Sequence, residues 1–156
     1  MTPTPPSARA SNALGIDIEI EDEAWLAALP DAEALALAAA EAATAEGGLT
    51  VLLTDDPTVA DLNLRFRDKP GPTNVLSFPA PANPEHHLGD IALAYGVCAR
   101  EAAEQGKPLA HHLQHLVAHG VLHLVGYDHQ TETEAEDMEA LERQILAGLD
   151  VPDPYA

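Results

Sequence analysis

"TNVLSFPAPANPEHHLGDIALA", residues 73–94, sets two runs of strand character on either side of a proline-rich link. "TNVLSF" and "LGDIALA" carry the β-branched, aromatic and aliphatic residues that suit a pleated surface, and "PAPANPEHH" between them breaks regular structure. The two runs are therefore expected to form a strand pair. Upstream, "IDIEI" (16–20) alternates apolar and acidic residues, as a strand with one wet face does. "PDAEALALAAAEAATAEGG" (30–48) reads as a helix, with Asp31 near its start, strong helix formers throughout and Gly47-Gly48 as its stop. "LTVLLT" (49–54) is an apolar strand, and "DDPTVADLNLRFR" (55–67) a helix with Asp56 as N-cap and Pro57 at the first helical position. Downstream, "GVCAREAAEQG" (96–106), "PLAHHLQHLVAHGVLHLVG" (108–126) and "TETEAEDMEALERQILAGL" (131–149) read as three helices, the last opened by a threonine cap and closed at Gly148. The order β-α-β-α-β-β-α-α-α predicts an α+β fold, one small mixed β-sheet packed with helices.

At 156 residues the chain suits one compact domain, expected over residues 15–156. Residues 1–14 are rich in Pro, Ser, Thr and Ala without periodicity and read as a disordered tail. One cysteine, Cys98, excludes an internal disulfide and reads as a small buried hydrophobe. The start has neither a signal-peptide core nor a basic amphipathic pattern, so a cytoplasmic location is expected. No apolar run approaches the roughly 20 residues that cross a bilayer, and Glu33 and Glu41 interrupt the alanine-rich stretch; membrane insertion is not expected. The formal net charge of -19 argues against broad contact with a phosphate backbone. The charge is uneven, however: "RFRDK" (65–69) gathers three of the seven basic residues, so a local anion site is compatible with it.

The densest chemistry lies in "HGVLHLVGYDH" (119–129). Leu113, Leu116, Val117, Val121 and Leu124 recur at helical spacing and can face a core, whereas His111, His115, His119 and His123, each four apart, share another stripe. Two imidazoles four apart can grip one ion from a single helix face. Gly126 then ends the helix and lets the chain reverse through Tyr127 and Asp128, returning His129 towards the pair. An i,i+4 histidine pair alone is commonly a half-exposed helix face; a third histidine behind a helix-ending glycine points to metal. The frame H-x3-H-x2-G-x2-H matches the zinc-binding spacing of metzincin peptidases, with Gly120 where they place a catalytic glutamate. That difference favours zinc and disfavours peptide hydrolysis. Three neutral imidazoles leave a coordination position open, as catalytic zinc sites do, and also suit other divalent transition metals. His115 is left as a fourth ligand, a partner behind the ligands or a surface residue.

With these residues in view, the chain resembles the YbeY family of bacterial endoribonucleases. "HGVLHLVGYDH", preceded by "PTNVLSFP" and "LGDIALA", fits the family signature H-G-x-L-H-L-x-G-Y-D-H without a substitution, and the likeness runs from about residue 16 to 155. The resemblance implies a single-strand-specific, metal-dependent endoribonuclease of ribosomal RNA maturation, acting at the 3′ end of small-subunit RNA and in ribosome quality control. It implies His119, His123 and His129 as ligands of one Zn²⁺, with His119, His123 and Arg67 in catalysis. Its implied partners are single-stranded ribosomal RNA, the small ribosomal subunit, a small-subunit protein and an assembly GTPase. Arg65 is the rival for the arginine role; two residues apart on a helix, the two side chains point about 200° apart. A metal with a guanidinium fork can stabilise the charge that gathers on phosphate oxygens during cleavage. Asp128 is left between orienting an imidazole and closing an Asx turn. Ser77 and Asp90 read as structural residues that can also line the cleft, and Tyr127 as either a base-stacking or a turn-packing ring. Two alternatives stand beside this reading: a non-catalytic ribosome-assembly factor with a structural metal, and a metallohydrolase of other substrates.

Overall fold

A computed structural model describes residues 15–44 and 47–155; the expected N-terminal tail, residues 1–14, lies outside the described residues. Its strands are β1 (Ile16–Ile20), β2 (Gly48–Thr54), β3 (Val75–Pro79) and β4 (His87–Ala94). Its helices are α1 (Ala24–Ala28), α2 (Ala32–Ala43), α3 (Asp56–Arg67), α4 (Tyr95–Gln105), α5 (Leu109–Leu124) and α6 (Glu132–Ala147). The strands form one mixed sheet in the order β1-β2-β4-β3. β1, β2 and β4 run parallel, and β3 joins β4 antiparallel, so the expected strand pair closes one edge. The α+β class read from the element order is the fold observed.

Register sets what each sheet face carries. Ile18, Val51, Ile91 and Ser77 align across the four strands. This face packs against α2 and α5, burying Leu49, Leu53, Leu93, Ala36, Leu37, Leu113, Val117 and Val121 in the main core. On the other face a smaller cluster forms, with Val59 of α3 against Leu76, Ala92 and Ala94. α5 is thus a central helix, anchored on the sheet along one side and free to present chemistry on the other. No helix among the described residues is long and apolar enough to cross a membrane.

Three local readings are corrected. α1 was not anticipated, because five residues are too few to show a period; it is held by fully buried Trp25, whose Nε1 donates to the Thr54 carbonyl at 3.0 Å. α2 stops at Ala43, and Gly48 belongs to β2, where strand pairing claims it. The cap of α3 is Asp55, not Asp56: Asp55 Oδ1 accepts from Thr58 N at 2.8 Å. Asp56 instead turns its carboxylate to the start of α4 and accepts from Val97 N at 3.1 Å. The last helix closes at Gly148 as expected, with right-handed backbone there and the left-handed position taken by Asp150. The capping box of that helix is complete, with Thr131 accepting from Glu134 N and Glu134 from Thr131 N.

Candidate metal centre and phosphate cleft

α5 carries the first two histidines because its opposite side is fully engaged by the core. The close approach depends on Gly120: a Cβ there would lie 3.1 Å from Ile91 Cγ2 and 3.3 Å from Ser77 Oγ. Ser77 Oγ donates to the Gly120 carbonyl at 3.1 Å and ties β3 to the helix. The position that holds glutamate in the metzincin frame therefore faces packed strand, with no room for a carboxylate.

The helix then ends in a Schellman turn. Gly126 N–H bonds to His123 O at 3.2 Å, Tyr127 N–H to Leu122 O at 3.0 Å, and Gly126 sits at φ 108°. This reversal brings His129 back over the helix end. One ring nitrogen from each of His119, His123 and His129 lies within 4.8 Å of the other two, the arrangement a metal ion requires.

Hydrogen bonds on the far side of the rings orient two of them. His123 Nδ1 lies 3.0 Å from the Tyr127 carbonyl, which only accepts, so Nδ1 carries the proton and Nε2 keeps its lone pair in the neutral ring. His119 Nδ1 meets Glu142 Oε2 at 2.8 Å, with the same consequence. The two Nε2 atoms then face each other at 3.1 Å. Nitrogens about 2.0–2.1 Å from a tetrahedral zinc stand roughly 3.3 Å apart, so this pair fits such an ion with almost no adjustment. Burial, followed by the neighbouring His119 and His129, holds the His123 pKa below its ordinary value and favours the neutral form.

Arg67, the last residue of α3, lines the same cleft of about 520 Å³ as the three histidines, together with Asn74, Ser77, Tyr127 and Asp128. Its Nη2 donates to the Ser77 carbonyl, and its guanidinium lies over the Phe78 ring at 5.9 Å. Arg65 points elsewhere, to an exposed ion pair with Asp61 at 3.0 Å. Asp128 accepts from the backbone N–H of His129 at 2.8 Å and so serves the turn. Asp90 lies on the other sheet face beside His87, away from the histidines. Tyr127 is exposed at the rim.

Two participants were not anticipated. Glu142 of α6 is fully buried and joins His119 to His115, whose Nε2 lies 2.8 Å from Oε1; that ring nitrogen faces away from the cluster. Burial alone would raise its pKa, but bonds from His115, His119 and Tyr155 outweigh this and pull it down to about 2. Tyr155 donates its hydroxyl to the same Oε1. A signal for Glu142 exists: it lies four residues from both Met138 and Leu146, which are buried, and a carboxylate on a core stripe must find partners. Nothing local marks Tyr155.

Comparison with known proteins agrees with this architecture. A protein from Azorhizobium caulinodans named endoribonuclease YbeY is 51% identical over 153 residues, covering 90% of this chain and 96% of that protein. A Maricaulis maris protein of the same name is 50% identical over 146 residues, covering 90% and 91%. The solution structure of a Thermotoga maritima protein shares the fold at TM-score 0.55 and 22% identity, covering 86% of this chain and 91% of that one. The family model described as endoribonuclease YbeY matches residues 16–150, and the chain belongs to this family of endoribonucleases.

Proposed function

We propose that this chain cleaves single-stranded ribosomal RNA during maturation of the small-subunit 3′ end, using a zinc ion held by His119, His123 and His129 and a phosphate grip provided by Arg67. The observation that carries this reading is the convergence of three imidazole nitrogens in the cleft that Arg67 also lines. A zinc ion bound there supplies a Lewis acid for a phosphate oxygen and acidifies a water molecule.

The chain's own residues supply orientation and charge. The bonds from Nδ1 to Glu142 and to the Tyr127 carbonyl keep His119 and His123 turned as neutral donors. Arg67 spends one N–H on Ser77 O and is steadied over Phe78, leaving the rest of its fork for non-bridging phosphate oxygens. That guanidinium offsets negative charge as it develops, without a change of position at the moment of reaction. At the position that holds the metzincin glutamate, Gly120 supplies no carboxylate, which supports RNA over peptide as substrate.

In this reading the enzyme works in the cytoplasm, and a small-subunit ribosomal protein and an assembly GTPase bring it to its target. The net charge of -19 supports such recruitment, since the chain has little long-range attraction for RNA. The test is cleavage of a single-stranded fragment carrying the small-subunit 3′ end, with zinc content measured by mass spectrometry. His123→Ala is expected to lose zinc and cleavage; Arg67→Ala is expected to keep zinc and lose at least about 100-fold in rate. Normal cutting by both folded variants would overturn the reading.

A further inference from the structure

The carboxylate behind His119 is itself held from the end of the chain. Glu142 Oε1 takes the Tyr155 hydroxyl at 2.5 Å and His115 Nε2 at 2.8 Å, while Oε2 takes His119 Nδ1 at 2.8 Å. His115 Nδ1 is buried without a hydrogen-bond partner among the described residues, so Nε2 makes the bond that ties this ring to Glu142. Three donors thus hold a buried carboxylate, two on one oxygen and one on the other.

Tyr155 is brought there by a fastened segment. Val151 N–H bonds to Leu146 O at 2.9 Å, Arg143 Nε bonds to both Asp153 carboxylate oxygens at 3.1 and 3.2 Å, and Tyr155 N–H bonds to Asp153 Oδ1 at 2.8 Å. The Tyr155 ring also stands edge-on to His115 at 5.5 Å, with the Arg143 guanidinium 5.3 Å from its centre. These contacts aim the hydroxyl at one carboxylate oxygen. A carboxylate bonded to the outer nitrogen of a ligand imidazole fixes the ring's tautomer and orientation and raises its basicity.

We propose that Glu142 and Tyr155 are positioning residues of the metal centre, so that docking of segment 151–155 sets how tightly the histidines hold zinc. The proposal rests on His119 being a metal ligand. Glu142 acts on that ligand directly; Tyr155 acts through Glu142, holding the carboxylate at a fixed tilt.

The test is competition for zinc between the full chain and a coloured chelator, for wild type, Glu142→Gln and Tyr155→Phe, with the melting temperature of each metal-free form measured in parallel. Glu142→Gln is expected to weaken zinc binding by about 10- to 100-fold. Tyr155→Phe, which keeps the ring contacts and removes only the hydroxyl, is expected to weaken it by about 3- to 10-fold with little change in metal-free melting. Wild-type affinity in both variants overturns the proposal, as does a lowered melting temperature with unchanged affinity, the pattern of a packing role alone. If Glu142→Gln does not fold, Tyr155→Phe decides. A wild-type chain that takes up no zinc overturns the histidine site itself, an outcome distinct from variants that match a zinc-binding wild type.

Discussion

Gly126 shows how much one backbone angle can control. At φ 108° it occupies a region that side-chain-bearing residues rarely adopt, yet a Cβ there would meet nothing within 4 Å among the described residues. The cost of Gly126→Ala is therefore conformational, on the order of 1–2 kcal/mol, and should appear as a lower melting temperature. Because the same turn carries His129, the variant should also lose zinc affinity beyond what the stability change alone produces, measurable by chelator competition. Retained affinity would mean that His129 reaches the site without this turn. The three histidines were legible because their placement is local: four residues apart on a helix, then a glycine reversal. Glu142 was not, because its partners come from a neighbouring helix and the end of the chain, and only tertiary packing brings them together.

Among the elements, α3 and α4 share a pair of adjacent aspartates, and each helix takes one. The sequence left this division unreadable, since either residue satisfies a cap preference; the path of α4 across the start of α3 decides it, through Asp56 and Val97. Asp55→Ala should destabilise the fold by about 1 kcal/mol. Bonds from Thr58 hold the Asp55 carboxyl below its ordinary value of 3.8. Its unfolded-state pKa is thus the higher one, so the extra stability is present above 3.8 and disappears as pH falls through the lower folded value. Asp55→Asn, which caps without a charge, should lack this loss. The stability difference between wild type and Asp55→Asn, followed by denaturant melts from pH 6 to 2, should shrink on acidification; a difference independent of pH would refute the assignment. The β3–β4 pair was readable from the proline-rich link, whereas the insertion of β4 beside β2 was not, because parallel pairing leaves no local mark in the chain.

For the whole molecule, charge and chemistry oppose each other. A body of formal charge -19 has to admit a polyanion to a cleft lined by Arg67. At low salt, repulsion reaches about 30 Å; near 0.15 M it is confined to about 8 Å, while contacts inside the cleft are screened less. Cleavage of a short single strand, measured as kcat/KM, should therefore rise several-fold from about 0.01 to 0.15 M monovalent salt before declining. A steady fall from the lowest salt onward would show that local basic residues dominate encounter. The α+β class was legible from the order of elements, but the burial of one helix at the centre of the sheet face was not.

That central helix gives the three histidines unequal support. His119 and His123 ride on α5, whose inner side is part of the main core, so their backbone spacing is set by that packing. His129 hangs on a glycine-hinged turn outside any helix or strand. The candidate site thus has two posts set in the core and one on a bracket: a substitution that shifts the Gly126 turn should displace His129 alone and leave the other two imidazoles in register.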